Sequence, residues 1–134
     1  MKGEKEMANY YSKIKSNNFK VTDADAFKEL MESCIAEDVI EFDVSEDNIA
    51  DFACDGCFFG YAVEDGEDYE LFIEKLQGLL DKDAVCVIKE IGWEKLHYLV
   101  AEATIITHNT CTVTQLDECV EKIVKEEKEK INEN

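Results

Sequence analysis

The sequence predicts an α+β domain with helices packed on one face of an antiparallel sheet. Three observations carry this. Apolar residues alternate with period two in several segments between residues 9 and 113, while two stretches, 23–35 and 67–80, repeat at helical spacing instead. The resulting order, β-α-β-β-α-β-β-(β)-α, contains the split β-α-β arrangement of ferredoxin-like topology, with an extra strand and a C-terminal helix added. A more strongly curved sheet wrapping one helix is the alternative.

The first strand spans 9–21: Tyr10, Ser12, Ile14 and Ser16 alternate, and Asn17-Asn18 then shifts the phase, which predicts a bulge or bend before Phe19 and Val21. Thr22 with Asp25 three residues on resembles a helix start, and Phe27, Leu30, Met31 and Cys34 give a helix over 23–35. Ile40, Phe42 and Val44 alternate with Glu41 and Asp43 as a half-buried strand. Segments 49–54 and 57–63 continue the sheet around an Asp55-Gly56 turn. Asp65-Gly66 breaks the pattern, after which Tyr69, Phe72, Ile73, Leu76, Leu79 and Leu80 line one face of a helix over 67–80. Two β-branched strands, 85–91 and 96–107, flank a Gly92–Lys95 hairpin loop. A short strand follows at 111–113, and Thr114 caps a terminal helix striped by Leu116, Val120, Ile123 and Val124, whose charged part, 125–130, is expected to fray. With no Pro, repeat or linker, residues 9–134 read as a single domain. Residues 1–8 read as a flexible extension, and Met7 as a candidate start.

Charge narrows the function more than any motif does. The chain carries a formal charge of −18, and residues 22–83 alone hold twenty acids against Lys28, Lys75 and Lys82. All fourteen basic residues are Lys, so there is no guanidinium for bidentate phosphate contacts. Direct binding to nucleic acid or to an anionic membrane is excluded on these grounds. No apolar run has the length of a membrane span and no apolar stretch of a secretory signal follows the N-terminus, so a cytoplasmic protein is expected. The six Cys are expected as reduced thiols.

Cys54-Asp55-Gly56-Cys57 is the one tight cysteine pair. A structural zinc needs four N or S ligands, so its other half would have to come from His108 and Cys111, with His97 in reserve. A thioredoxin-type role needs the pair at a helix N-terminus, whereas an Asp-Gly turn between strands holds it here. Two ordinary thiols flanking a turn is the plainer reading, and no cofactor is expected. His97 is in phase with Leu99 and Ala101 on its strand, His108 sits at a strand end, and no motif with catalytic mechanics occurs, so a non-enzymatic protein is expected. The acids at 43–55 and 64–70 do not follow the calcium-loop pattern of alternating acids, Gly and a distal Glu.

The clustered acids have two readings. One is a solubilising coat. The other is a substitute for a phosphate backbone: at one charge per roughly 1.7 Å, the net excess in residues 22–83 corresponds to about 29 Å of duplex, close to the width of a domain this size. That reading assigns partner binding to Glu41, Asp43, Glu46, Asp47, Asp51, Glu64, Asp65, Glu67, Asp68, Glu70 and Glu74. The partner would be a basic, nucleic-acid-binding host protein.

The segments Ala8-Asn9-Tyr10-Tyr11-Ser12-Lys13, Asn18-Phe19-x-Val21, Phe59-Gly60-Tyr61, Glu90-Ile91-Gly92-x-Glu94-Lys95-Leu96-x-Tyr98-Leu99 and Thr104-Ile105-Ile106-Thr107 together resemble small acidic proteins carried on Firmicutes conjugative elements and phages. The likeness covers about residues 7–107 and leaves out the Cys54–Cys57 segment and the terminal helix. It implies a mobile-element setting, in which anti-restriction and anti-CRISPR proteins that occupy nuclease grooves are common. It carries over no site residues.

Overall fold

A computed structural model describes residues 10–94 and 98–133. The expected extension over 1–8, Lys95 of the expected loop and His97 lie outside the described residues.

The chain is α+β, with a mostly antiparallel main sheet. Strand β1 (Tyr10–Ser16) and the short β2 (Phe19–Lys20) lie along successive stretches of one edge of β5 (Ile49–Asp55). The bend between them falls at the expected Asn17-Asn18. There the Phe52 amide donates to Ser16 Oγ at 3.0 Å, filling the gap in the ladder, and Asn17 Oδ1 accepts from the Val87 amide at 2.8 Å. On the far edge of β5 lies β4 (Ile40–Val44); on the other side of β1 come β8 (Cys86–Glu94), β9 (Tyr98–Ile106) and β10 (Cys111–Gln115). A second sheet holds β3 (Cys34–Ala36), β6 (Phe58–Val63) and β7 (Gly66–Asp68) in the order β3-β6-β7.

Helices α1 (Ala24–Glu32) and α2 (Tyr69–Leu79) contribute Phe27, Leu30, Met31, Phe72, Ile73 and Leu76 to one core with Ile14, Phe19, Phe52, Cys86, Ile88 and Ile106 of the main sheet. Its centre is a network of tilted and edge-on rings: Phe52 meets Phe19, Phe58 and Phe72 at 6.0–6.3 Å between centroids. Burying this much aromatic surface contributes strongly to the fold. The terminal helix, α3 (Leu116–Glu133), follows directly on β10 and buries none of its residues.

Several boundaries differ from the expected ones. Helix α1 stops at Glu32, and Cys34, though at helical spacing, begins β3, where it pairs with Tyr61. The Ser33 amide closes the helix on the Glu29 and Leu30 carbonyls, and β6 supplies the following residues with a ladder partner. Helix α2 begins two residues late because Asp68 is its cap, accepting from the Leu71 amide at 3.0 Å, while Glu67 and Asp68 complete β7. Tyr69, expected on the buried face, is 39% exposed. Gly92 and Trp93 are not loop: they pair with Ser12 and Tyr11 on one side and Val100 and Leu99 on the other. Thr114 lies within β10 rather than capping α3, and α3 runs unbroken to Glu133. Glu118–Lys122, Glu121–Lys125 and Glu126–Lys130 stand at i,i+4, and Lys130 pairs with Glu127 at 3.1 Å, which supports the segment expected to fray.

Candidate acidic surface and the inner carboxylate pair

The acids assigned to partner binding fall into two groups, carried by different sheets. Glu41, Asp43 and Asp51 belong to the β4–β5 hairpin, with Glu46 and Asp47 in its turn. Ser45 Oγ holds that turn by accepting from the Asp47 and Ile49 amides, and Asn48 adopts φ 65°. The inward residues Ile40, Phe42 and Val44 force Glu41 and Asp43 outward. Asp43 stands directly opposite Asp51 in the ladder. Like charges so placed destabilise a hairpin. The segment 40–55 holds six acids and no Lys.

The second group is Glu64 and Asp65 in the β6–β7 turn, Glu67 and Asp68 on β7, and Glu70 and Glu74 on α2, all exposed. Asp68 is engaged as the helix cap. Lys75 lies among these acids on α2, its Nζ 4.7 Å above the ring centroid of Tyr61, which pairs with Asp68 in the ladder.

The face of the main sheet opposite α1 and α2 is graded in character, and the first turn of α3 borders its far end, where Leu116 and Cys119 line a pocket with Ile91, Ala101 and Ala103. Beyond the acidic hairpin, Lys13 and Lys15 on β1 and Lys89 on β8 form a basic strip, with Lys13 bound to Asp55 at 3.1 Å. Past the strip the face is apolar, with Tyr11 stacked on Trp93 at 5.7 Å and Ile91 and Leu99 exposed.

The structure does not bring the four candidate zinc ligands together. Cys54 and Cys57 flank the turn after β5, and Cys111 lies on β10; β1, β8 and β9 intervene, about 19 Å at the usual strand spacing. His108, exposed between β9 and β10, shares that far side. Among the described residues no group of three His, Cys, Asp or Glu is placed to hold a metal ion. Nor is Cys54 an activated thiol: burial, then the charge of Asp55, pushes it up to about 11. Segments 49–54 and 57–63 do not continue one sheet around Asp55-Gly56 as expected: the chain bends there, with Gly56 at φ 81° and Glu37 accepting from the Cys57 amide at 3.0 Å, and β6 leaves β5 to pair with β3 and β7.

One feature escaped the sequence reading. Glu90 on β8 faces Glu102 on β9 directly across the ladder, on the same side as Ile14 and Ile88. Both line a cavity of about 200 Å³ with Tyr69, Thr104, Phe58 and Val113. Burial, and then the neighbouring Glu102, raises the Glu90 carboxyl above its ordinary value. The Tyr69 phenol is likewise raised, first by burial, with its hydrogen bond to Thr104 opposing. Only strand phase pointed here: Glu90 occupies an inward position between Ile88 and Gly92.

In comparisons with known proteins, no family model, no curated protein and no solved structure matches the chain. Among the described residues, no helix is long and apolar enough to cross a membrane.

Proposed function

We propose that this chain is a non-enzymatic, cytoplasmic, acidic protein-binding domain that occupies the nucleic-acid site of a basic partner, a DNA mimic of the kind that blocks a host defence nuclease. The observation that carries the reading is Asp43 opposite Asp51 in a hairpin that also bears Glu41, Glu46 and Asp47 and no Lys. Opposed like charges cost folding energy, so a surface evolved for solubility alone gains nothing from that pairing, whereas a basic groove neutralises it. The β6–β7–α2 acids form the second contact.

We also infer that the scaffold is a ferredoxin-like, split β-α-β core. The order β8-β1-β5-β4 supports this, since α1 follows the β1–β2 strand and α2 lies between the β4–β5 hairpin and β8. Strands β9 and β10 extend it.

The test is capture from host lysate on immobilised full-length protein over a salt series. Basic nucleic-acid-binding proteins are expected at low salt and are expected to elute steeply as the Debye length falls below roughly 8 Å. Absence of any such protein at low salt contradicts the proposal.

A further inference from the structure

The acids of the β4–β5 hairpin share their sheet face with an aromatic pair that is open to solvent. Tyr11 on β1 stands opposite Trp93 on β8 in the ladder, their rings 28° from parallel with centroids 5.7 Å apart, and Tyr11 is 54% exposed. Both rings line a groove of about 500 Å³. Glu37 and Asp38, from the loop between β3 and β4, line it too, with Asp55 at the end of β5 and Lys13 on β1. Backbone amides hold the two loop carboxylates in place: Glu37 Oε1 accepts from the Cys57 amide at 3.0 Å, and Asp38 Oδ1 from the Val39 amide at 2.7 Å. These bonds orient the carboxylates without cancelling their charge. Asp55 is matched by Lys13 at 3.1 Å, so Glu37 and Asp38 carry the groove's excess negative charge.

An aromatic platform beside carboxylate oxygens is the chemistry that holds a planar cation. A guanidinium stacks on the face of Tyr or Trp and forks its N–H groups onto carboxylates, whereas an ammonium is a compact point charge that does neither as well. We propose that this groove takes an arginine side chain of the basic partner, a contact that rests on the function proposed above and extends its surface beyond the hairpin. Arginines that bind nucleic acid stack on bases and bond to phosphates. Here Tyr11 and Trp93 stand in for the base, and Glu37 and Asp38 for the phosphate. A neighbouring groove of about 320 Å³ shares Lys13, Asp38 and Asp55 and runs past Lys15 to Glu41, which joins the arginine site to the hairpin.

Trp93 is the single Trp of the chain, so its fluorescence reports on the groove. The full chain is titrated with a hexaarginine peptide, and separately with hexalysine, at about 150 mM salt, where exposed charges are screened beyond roughly 8 Å. Hexaarginine is expected to change the Trp93 emission and to bind at least about threefold more tightly than hexalysine. Glu37→Gln with Asp38→Asn removes two charges yet keeps an acceptor oxygen for each of the two amides, so the loop stays in place. This variant should bind hexaarginine about fivefold more weakly or worse, and Tyr11→Ala about two- to fivefold more weakly. The hairpin variant Glu41→Gln, Asp43→Asn, Asp51→Asn should keep the Trp93 response. Equal binding of the two peptides overturns the proposal, as does hexaarginine binding that Glu37→Gln with Asp38→Asn leaves unchanged. Loss of the peptide response with lysate capture intact strikes the groove alone. An intact response with no basic protein captured strikes the function proposed above and leaves the groove an arginine site.

Discussion

Helices α2 and α3 are both amphipathic, yet they stand at opposite extremes of burial. Phe72, Ile73 and Leu76 of α2 sit in the core among Phe52, Phe58 and Leu80, whereas α3, seven residues longer, buries nothing. Helical spacing tells that a face is apolar; it does not tell what covers it. For α2 the cover is its own sheet, and the geometry of β6 makes the fit close. For α3 the described residues bury none of its stripe.

Substitutions along the two stripes sharpen the contrast. Phe72→Ala should cost about 3–5 kcal/mol in chemical denaturation, the range for emptying an aromatic site in a packed core. Ile123→Ala should change the unfolding free energy of the monomer by less than about 0.5 kcal/mol. A large loss at Ile123 in dilute protein would mean that α3 folds onto its own sheet. Next in size is Gly60→Ala, at about 2–4 kcal/mol. Gly60 has φ 125°, and a Cβ there would stand 2.7 Å from the Tyr69 Cα and 2.8 Å from the Asp68 carbonyl, both backbone atoms. Unchanged stability would show that the β6–α2 approach is looser than described.

The smallest effect concerns the inner carboxylates. Glu90 has its carboxyl raised in the folded state, so folding favours its protonated form. The penalty is therefore absent below its ordinary value near 4.5 and grows as pH rises from there through the folded-state value. Glu90→Gln should stabilise the protein by about 0.2–1 kcal/mol at neutral pH, the scale of an opposed cross-strand pair, with the gain vanishing in acid. Denaturant titrations at both pH values check the sign, and a loss at neutral pH would mean that Glu90 has a cationic partner.

The residues show where sequence reading reaches and where it stops. The bend at Asn17-Asn18 and the core face of α2 were legible because each is written in nearby residues, whereas the chain's departure from the main sheet after Asp55-Gly56 depends on the pairing of β6 with β3 and β7. Cys34 misled because its spacing from Phe27, Leu30 and Met31 suits a helix as well as it suits the start of β3, and pairing with Tyr61 decides the matter from outside the segment. The hairpin acids were legible as outward residues, but Asp43 against Asp51 depends on register. The Glu90–Glu102 pair needed the same register, and the separation of Cys54 from Cys111 needed the strand order.

The central claim is that the hairpin acids replace a phosphate backbone. Its most direct test is low-salt capture from host lysate with and without competing duplex DNA, comparing the wild type with the variant Glu41→Gln, Asp43→Asn, Asp51→Asn. A control variant neutralises three acids of α3 instead: Glu126→Gln, Glu129→Gln, Glu133→Gln. The account predicts that DNA displaces the proteins bound by the wild type and by the control, and that the hairpin variant no longer captures them. Equal capture by all three proteins, undiminished by DNA, would contradict it.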